Sequence, residues 1–194
     1  METLTAPQPK VFDDLFSDTQ FAELQGILRF HRLERNYKKQ IIIMSPTKSK
    51  TGRKNQHIIR VLGNWVYEHD LGDVYDSSTG FKMPDESILS PDASYISFES
   101  WNKLTPEQQE GYAKICPDFL VELKSDSDDI DDLKAKMERY MGYGCRLAWL
   151  IDTDSQIVTI YRKNKIVEKI IGFNNLLSGE DVLPNFEFNL SLLK

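Results

Sequence analysis

The segment Pro117-Asp118-Phe119-Leu120-Val121-Glu122-Leu123-Lys124 constrains the fold of this chain more than any other stretch. Phe119, Val121 and Leu123 alternate along one face of a strand, and the same alternation puts Glu122 and Lys124 together on the opposite face. A helical stripe follows at once. Leu133, Met137, Tyr140 and Met141 recur at helical spacing between Asp129 and Tyr143, with Gly142 and Gly144 as the stop. Leu147 to Ile151 then reads as a further strand. Strand, helix and strand in this order predict an α/β fold, a mixed central β-sheet flanked by helices.

The rest of the chain adds elements to that centre. Phe21, Leu24, Ile27 and Leu28 predict a short amphipathic helix near Thr19 to Leu28, with Ser17 or Asp18 as its N-cap. Gln40 to Met44 predicts a strand that stops at Ser45-Pro46, because proline has no N–H to continue a ladder. Lys48 to Lys54 reads as a basic loop around Gly52. Ile58, Val61, Leu62, Trp65, Val66 and His69 then predict a core-facing helix ended by Leu71-Gly72. Several short strands are expected between Asp73 and Ile96, the clearest from Ile88 to Ile96, and the polar stretch Glu99 to Ala113 is expected to be a helical or loop insertion. Ile157 to Arg162 and Ile166 to Ile171, separated by Lys163-Asn164-Lys165, are expected to be two more strands. The reading is of a core over about residues 40–162 with extra N-terminal and C-terminal β elements. No repeat or linker divides the chain, so 1–194 is expected to form a single domain.

Composition narrows the functional classes. Apolar residues make up 40% of the 194 and no run of about 18 of them is uninterrupted, which excludes a membrane-spanning helix. The N-terminal METLTAPQPKVFDD has neither a basic nor an apolar leader region, so the cytoplasm is the expected compartment. Cys116 and Cys145 have no Cys or His at ligand spacing, so neither zinc nor a disulfide framework is indicated, and both are read as buried thiols. The net charge of −6 weighs against wide contact with nucleic acid, since Lys and Arg supply the phosphate contacts. An enzyme that touches few phosphates needs only a local basic strip.

Glu122 and Lys124 point together, and a carboxylate from a neighbouring strand such as Asp92, in Ser90-Pro91-Asp92-Ala93-Ser94, would complete an oxygen-donor site suited to Mg²⁺ or Mn²⁺. Such an ion polarises a phosphoryl oxygen and acidifies its bound water, while a lysine ammonium orients that water or offsets developing charge. Taken alone, E-x-K is more often a solvated ion pair.

Read in order, several segments resemble one family: Ile43-Met44-Ser45-Pro46-Thr47, the helix with Asn55 and Trp65, Ser77-Ser78-Thr79-Gly80-Phe81, Ser90-Pro91-Asp92-Ala93-Ser94, Pro117 to Glu122, Lys136-Met137 with Tyr140, and Trp149-Leu150-Ile151-Asp152. The chain resembles the PD-(D/E)XK, or restriction-endonuclease-like, nuclease superfamily and within it the Uma-type endonucleases. The resemblance implies an α-β-β-β-α-β core and a metal-dependent nuclease site. Asp92 matches the motif aspartate, Glu122 the second acid and Lys124 the motif lysine, with Asp92 and Glu122 as metal ligands. Relatives often carry another residue at the position of Lys124, and Ser-Pro-Ser where this chain has Ser125-Asp126-Ser127.

Lys136 lies one helical position off its apolar stripe and is expected to lean toward the acids as a second positive charge. Asn55 and His57 begin the first long helix, where family members contribute a polar residue; for His57 a surface role is the plainer reading. Lys48, Lys50, Arg53 and Lys54 form the best local footprint for phosphate, opposed by Asp126, Asp128, Asp129, Asp131 and Asp132 just after Lys124. The expectation is a Mg²⁺-dependent endodeoxyribonuclease acting on DNA, a dimer by resemblance. The alternatives are a non-catalytic nucleic-acid- or protein-binding module on the same fold, which the acidic charge favours, and a non-nuclease enzyme on the same metal platform.

Overall fold

The computed structural model describes residues 10–12, 16–44, 46–163 and 167–194. The expected stop at Ser45, the turn at Asn164-Lys165 and the strand start at Ile166 lie outside the described residues, as do the first nine residues. In chain order the elements are β1 (Lys10–Phe12), α1 (Asp18–Ile27), β2 (Arg32–Arg35), β3 (Ile41–Met44), α2 (Ser49–His69), β4 (Gly72–Asp76), β5 (Phe81–Lys82), β6 (Ile88–Leu89) and β7 (Ala93–Ser97). Then come α3 (Phe98–Trp101), α4 (Pro106–Gln109), β8 (Phe119–Leu123), α5 (Ile130–Gly142), β9 (Leu147–Asp152), β10 (Ile157–Arg162), β11 (Glu168–Ile171), β12 (Leu176–Ser178), β13 (Glu187–Asn189) and a closing 3₁₀ turn, Leu190–Leu193.

The central sheet has the order β11-β10-β9-β8-β7-β4. Only β8 and β9 run parallel, joined by the α5 crossover, and the other neighbours are antiparallel, so the sheet is mixed as expected. Alternation along β8 decides what each face meets. Phe119, Val121 and Leu123, with Trp149 and Ile151 of β9, pack against Ile58, Leu62 and Trp65 of α2 and against Phe186, Phe188 and Leu190 of the C-terminal elements. Leu120, Ala148 and Leu150 face Met137 and Tyr140 of α5. A second sheet, β1-β3-β2-β6-β5, packs on α1 through Phe21, Leu33, Ile41 and Ile88.

Four local expectations change. Lys48 to Lys54 is not a loop: Lys48 is the N-cap of α2, and Lys50, Arg53 and Lys54 occupy its first turns, a segment whose only apolar cue is absent because α2 buries Lys54 there instead. α2 ends at His69 with Asp70 in the left-handed conformation, and Gly72 already belongs to β4. The run Ile88 to Ile96 is two strands in different sheets, because Pro91 cannot donate to a ladder and the chain changes sheet there. Of the two thiols, Cys145 is buried, whereas Cys116 is half-buried.

Candidate active site

Pro91 breaks the strand run, so Asp92 stands in the seam between the two sheets, just ahead of β7. Its Oδ2 accepts the Leu123 N–H at 2.9 Å, which fixes the carboxylate beside the end of β8. Glu122, on the α5 face of β8, is 4% exposed. Lys136 and Tyr140 are one turn apart on α5 and reach the same atom: Lys136 Nζ lies 2.9 Å from Glu122 Oε1, and the Tyr140 hydroxyl donates to it at 3.1 Å.

β2 brings two more charges that the sequence reading did not assign. Arg32 and Glu34 are alternate residues and so share a face. Arg32 donates to Asp92 Oδ1 at 3.2 Å and to the Ser90 carbonyl at 2.9 Å. Glu34 accepts the Ser90 N–H at 2.9 Å and meets Lys136 Nζ at 3.1 and 3.2 Å. Three carboxylates thus enclose two cations, and the two buried glutamates share one ammonium. The available signal was the pattern Arg-Leu-Glu-Arg, charged at alternate positions beside a buried leucine.

The shared ammonium divides the glutamates. Burial pushes Glu34 up, but Lys136, Arg32 and the Ser90 N–H together hold it below the usual carboxylate range. Burial raises Glu122 to about 7, with Asp92 and Glu34 adding to the rise and Lys136 opposing it. Burial also works against the charge on Lys136, yet Glu122 and Glu34 hold that ammonium above its ordinary value. Lys136 therefore stays charged, while Glu122 exchanges its proton near neutrality.

This cluster floors a cleft of about 740 Å³ lined by Arg32, Glu34, Asp92, Glu122 and Lys136. The other expected residues scatter around it. Lys124 donates to the Ser125 carbonyl at 3.3 Å and is not among the cleft-lining residues. Asn55 reaches Asp92 Oδ1 at 3.4 Å. His57 is half-buried, with Nδ1 lacking a hydrogen-bond partner, and does not line the cleft. The basic strip divides: Lys48 lines the cleft and pairs with Asp126 at 2.8 Å, Lys50 is exposed, Arg53 donates to the Lys194 carbonyl at 3.0 Å, and Lys54 is buried against Thr153 Oγ1 at 2.6 Å. α2 starts at the cleft rim with no side chain capping its N–H groups, so the positive end of its dipole lies beside Lys48.

The donor chemistry fits a hard divalent cation: Asp92 and Glu122 are carboxylates, and Asn55 Oδ1, beside Asp92, is buried without a hydrogen-bond partner. Among the described residues no three His, Cys, Asp or Glu side chains are close enough together to enclose an ion, so water or main-chain oxygens would complete the shell. Among the described residues, too, no helix is long and apolar enough to cross a membrane.

Comparisons with known proteins agree with this architecture. Among curated proteins no relative matches the chain. A crystal structure described as "a putative nuclease belonging to DUF820" from Anabaena variabilis shares the fold, with a TM-score of 0.69 and 18% identity over 83% of this chain and 88% of that one. The model of the Uma2 family, whose description reads "Putative restriction endonuclease", matches residues 19–191. That match spans nearly the whole chain and the fold is restriction-endonuclease-like: the chain belongs to the Uma2 family.

Proposed function

We propose that the chain is a divalent-metal-dependent endonuclease that hydrolyses phosphodiester bonds in DNA. The observation that carries this reading is the burial of Glu34 and Glu122 with half-buried Asp92, Lys136 and Arg32 on the floor of an open cleft. Enclosing charges is costly, and a cluster of apolar side chains would serve stability as well or better, so the arrangement is explained by chemistry.

Asp92 and Glu122 would hold Mg²⁺ or Mn²⁺, which when bound polarises the phosphoryl group and makes its water more acidic. The Leu123 N–H and the Tyr140 hydroxyl fix the two carboxylates from behind. Lys136 holds a permanent positive charge at the floor, where it offsets negative charge growing on phosphate oxygens. In this reading Lys136 carries the role that the sequence motif gives to Lys124, because its ammonium is the one that reaches the acids. The Nε–H of Arg32 is buried without a partner inside the protein, while its two terminal nitrogens hold Asp92 and the Ser90 carbonyl, so Arg32 acts by its charge on the floor of the cleft.

Plasmid nicking tests the proposal. Supercoiled plasmid with Mg²⁺ or Mn²⁺ should be cut by the wild type, while Asp92→Ala and Lys136→Met should lose about 100-fold or more, the scale of losing one transition-state donor; Lys124→Ala should stay within a few fold. Equal cutting by wild type and Asp92→Ala sinks the site. A second reading, a non-catalytic binding module, is favoured by one observation: Asp126 and Asp128 line the cleft mouth and would repel a phosphate backbone. It predicts a folded wild type that binds Mn²⁺ no better than Asp92→Ala in a calorimetric titration and cuts nothing.

A further inference from the structure

Phe30 is 81% exposed at the turn between α1 and β2, on the lip of the same cleft. No packing explains an aromatic ring so placed, since a ring left in water forgoes the burial that makes aromatic side chains useful to a fold. The Arg29 guanidinium lies over the ring, 4.9 Å from its centroid. Arg29 and His31 flank Phe30 on this lip, Arg32, next in the chain, reaches down to the floor, and Asp126 and Asp128 line the cleft from the loop after β8.

We infer that Phe30 is a stacking platform for a nucleobase, so that the strand to be cut enters the cleft unpaired, its base on Phe30 and its phosphates along Arg29 and Arg32. An exposed ring can stack only on an open base face, and in a duplex those faces are closed by neighbouring bases. The edges and phosphates that a duplex does present are read by cations and polar groups, and the acids on this cleft leave no continuous track of cations for one. The cleft volume of about 740 Å³ is of the size that takes a small-molecule ligand, in keeping with one or two nucleotides and not a helix. The inference deepens the nuclease reading by naming its substrate class, and it is tested by binding instead of turnover.

Fluorescence anisotropy with a phosphorothioate-linked oligothymidylate and a blunt duplex of equal length, both with Mg²⁺, decides it. The wild type should bind the single strand at least tenfold more tightly than the duplex. Phe30→Ala should weaken single-strand binding about tenfold, within the range of one lost base stack, leave duplex binding unchanged, and be rescued by Phe30→Tyr. A duplex bound as well as the single strand, no binding of either, or an unaltered Phe30→Ala overturns the inference. So does a lower sedimentation coefficient for Phe30→Ala, which would assign the lip to contact between copies of the chain. Plasmid nicking lost in Asp92→Ala alongside unaltered Phe30→Ala binding defeats this inference alone. Phe30-dependent binding without cutting of either plasmid or an unmodified single-stranded oligothymidylate defeats the nuclease reading alone.

Discussion

Two buried carboxyls, Glu122 and Glu34, compete for the ammonium of Lys136, and Glu34 wins because Arg32 and the Ser90 N–H also stand behind it. Glu122 therefore holds its proton up to about pH 7, where an unfolded chain would have released it near 4.5. The folded state binds more protons than the unfolded state between those values, so ionising Glu122 costs stability as pH rises through the window. Glu122→Gln should remove that dependence. Urea midpoints at pH 5 and pH 8 should diverge for the wild type by on the order of 3 kcal/mol from this group and converge for Glu122→Gln, which becomes the more stable protein at pH 8 while losing any metal-dependent activity. Of this cluster the sequence made Asp92, Glu122 and Lys136 visible through strand alternation, helix spacing and family pattern. Arg32 and Glu34 were hidden because their partners lie 60 and 102 residues away, and no local periodicity encodes a contact at that range.

At the scale of elements, the site depends on how tightly β4, β7 and β8 lie together, since Asp92 immediately precedes β7 and leans on the end of β8. Gly72 marks the closest approach: a Cβ there would sit 2.2 Å from the Ile96 carbonyl and 2.8 Å from Ser97 Cα, both rigid backbone. Gly72→Ala should push β4 off β7 and lower the urea midpoint by the equivalent of roughly 1–3 kcal/mol, the usual cost of overpacking. Gly26→Ala, with nothing near its Cβ, should be neutral or slightly stabilising in the same assay. The helices and the long apolar strands were legible as periodic runs. The divided run from Ile88 to Ile96 was not, because periodicity reports which side chains are buried and not which sheet buries them. Lys48 to Lys54 was misread for a related reason: its one buried side chain is a lysine, Lys54, whose stem is enclosed while its ammonium meets Thr153.

For the molecule as a whole, a net charge of −6 sits behind a cleft whose cations are few and mostly matched by acids. Nucleic acid should therefore bind through a small number of phosphates. The slope of log affinity for a single-stranded oligonucleotide against log salt should be about −1.4 to −2.1, the value for two or three neutralised phosphates; a slope steeper than about −6 would reveal a basic track that the cleft does not possess. The fold class was open to a reading of the sequence because one strand-helix-strand run dominates the core. The second sheet was harder to foresee, since β5 and β6 are two residues each and too short to show a period.

The order in which the charged cluster is made along the chain has a consequence for biogenesis. Glu34, Asp92 and Glu122 all leave the ribosome before Lys136, the ammonium that lets the two glutamates lie side by side. Until α5 has emerged and docked, Arg32 is the one cation of this cluster among the three carboxylates, and Glu122 lacks its counter-ion. The floor of the cleft is completed only when α5 docks, so the proposed activity arrives with that helix.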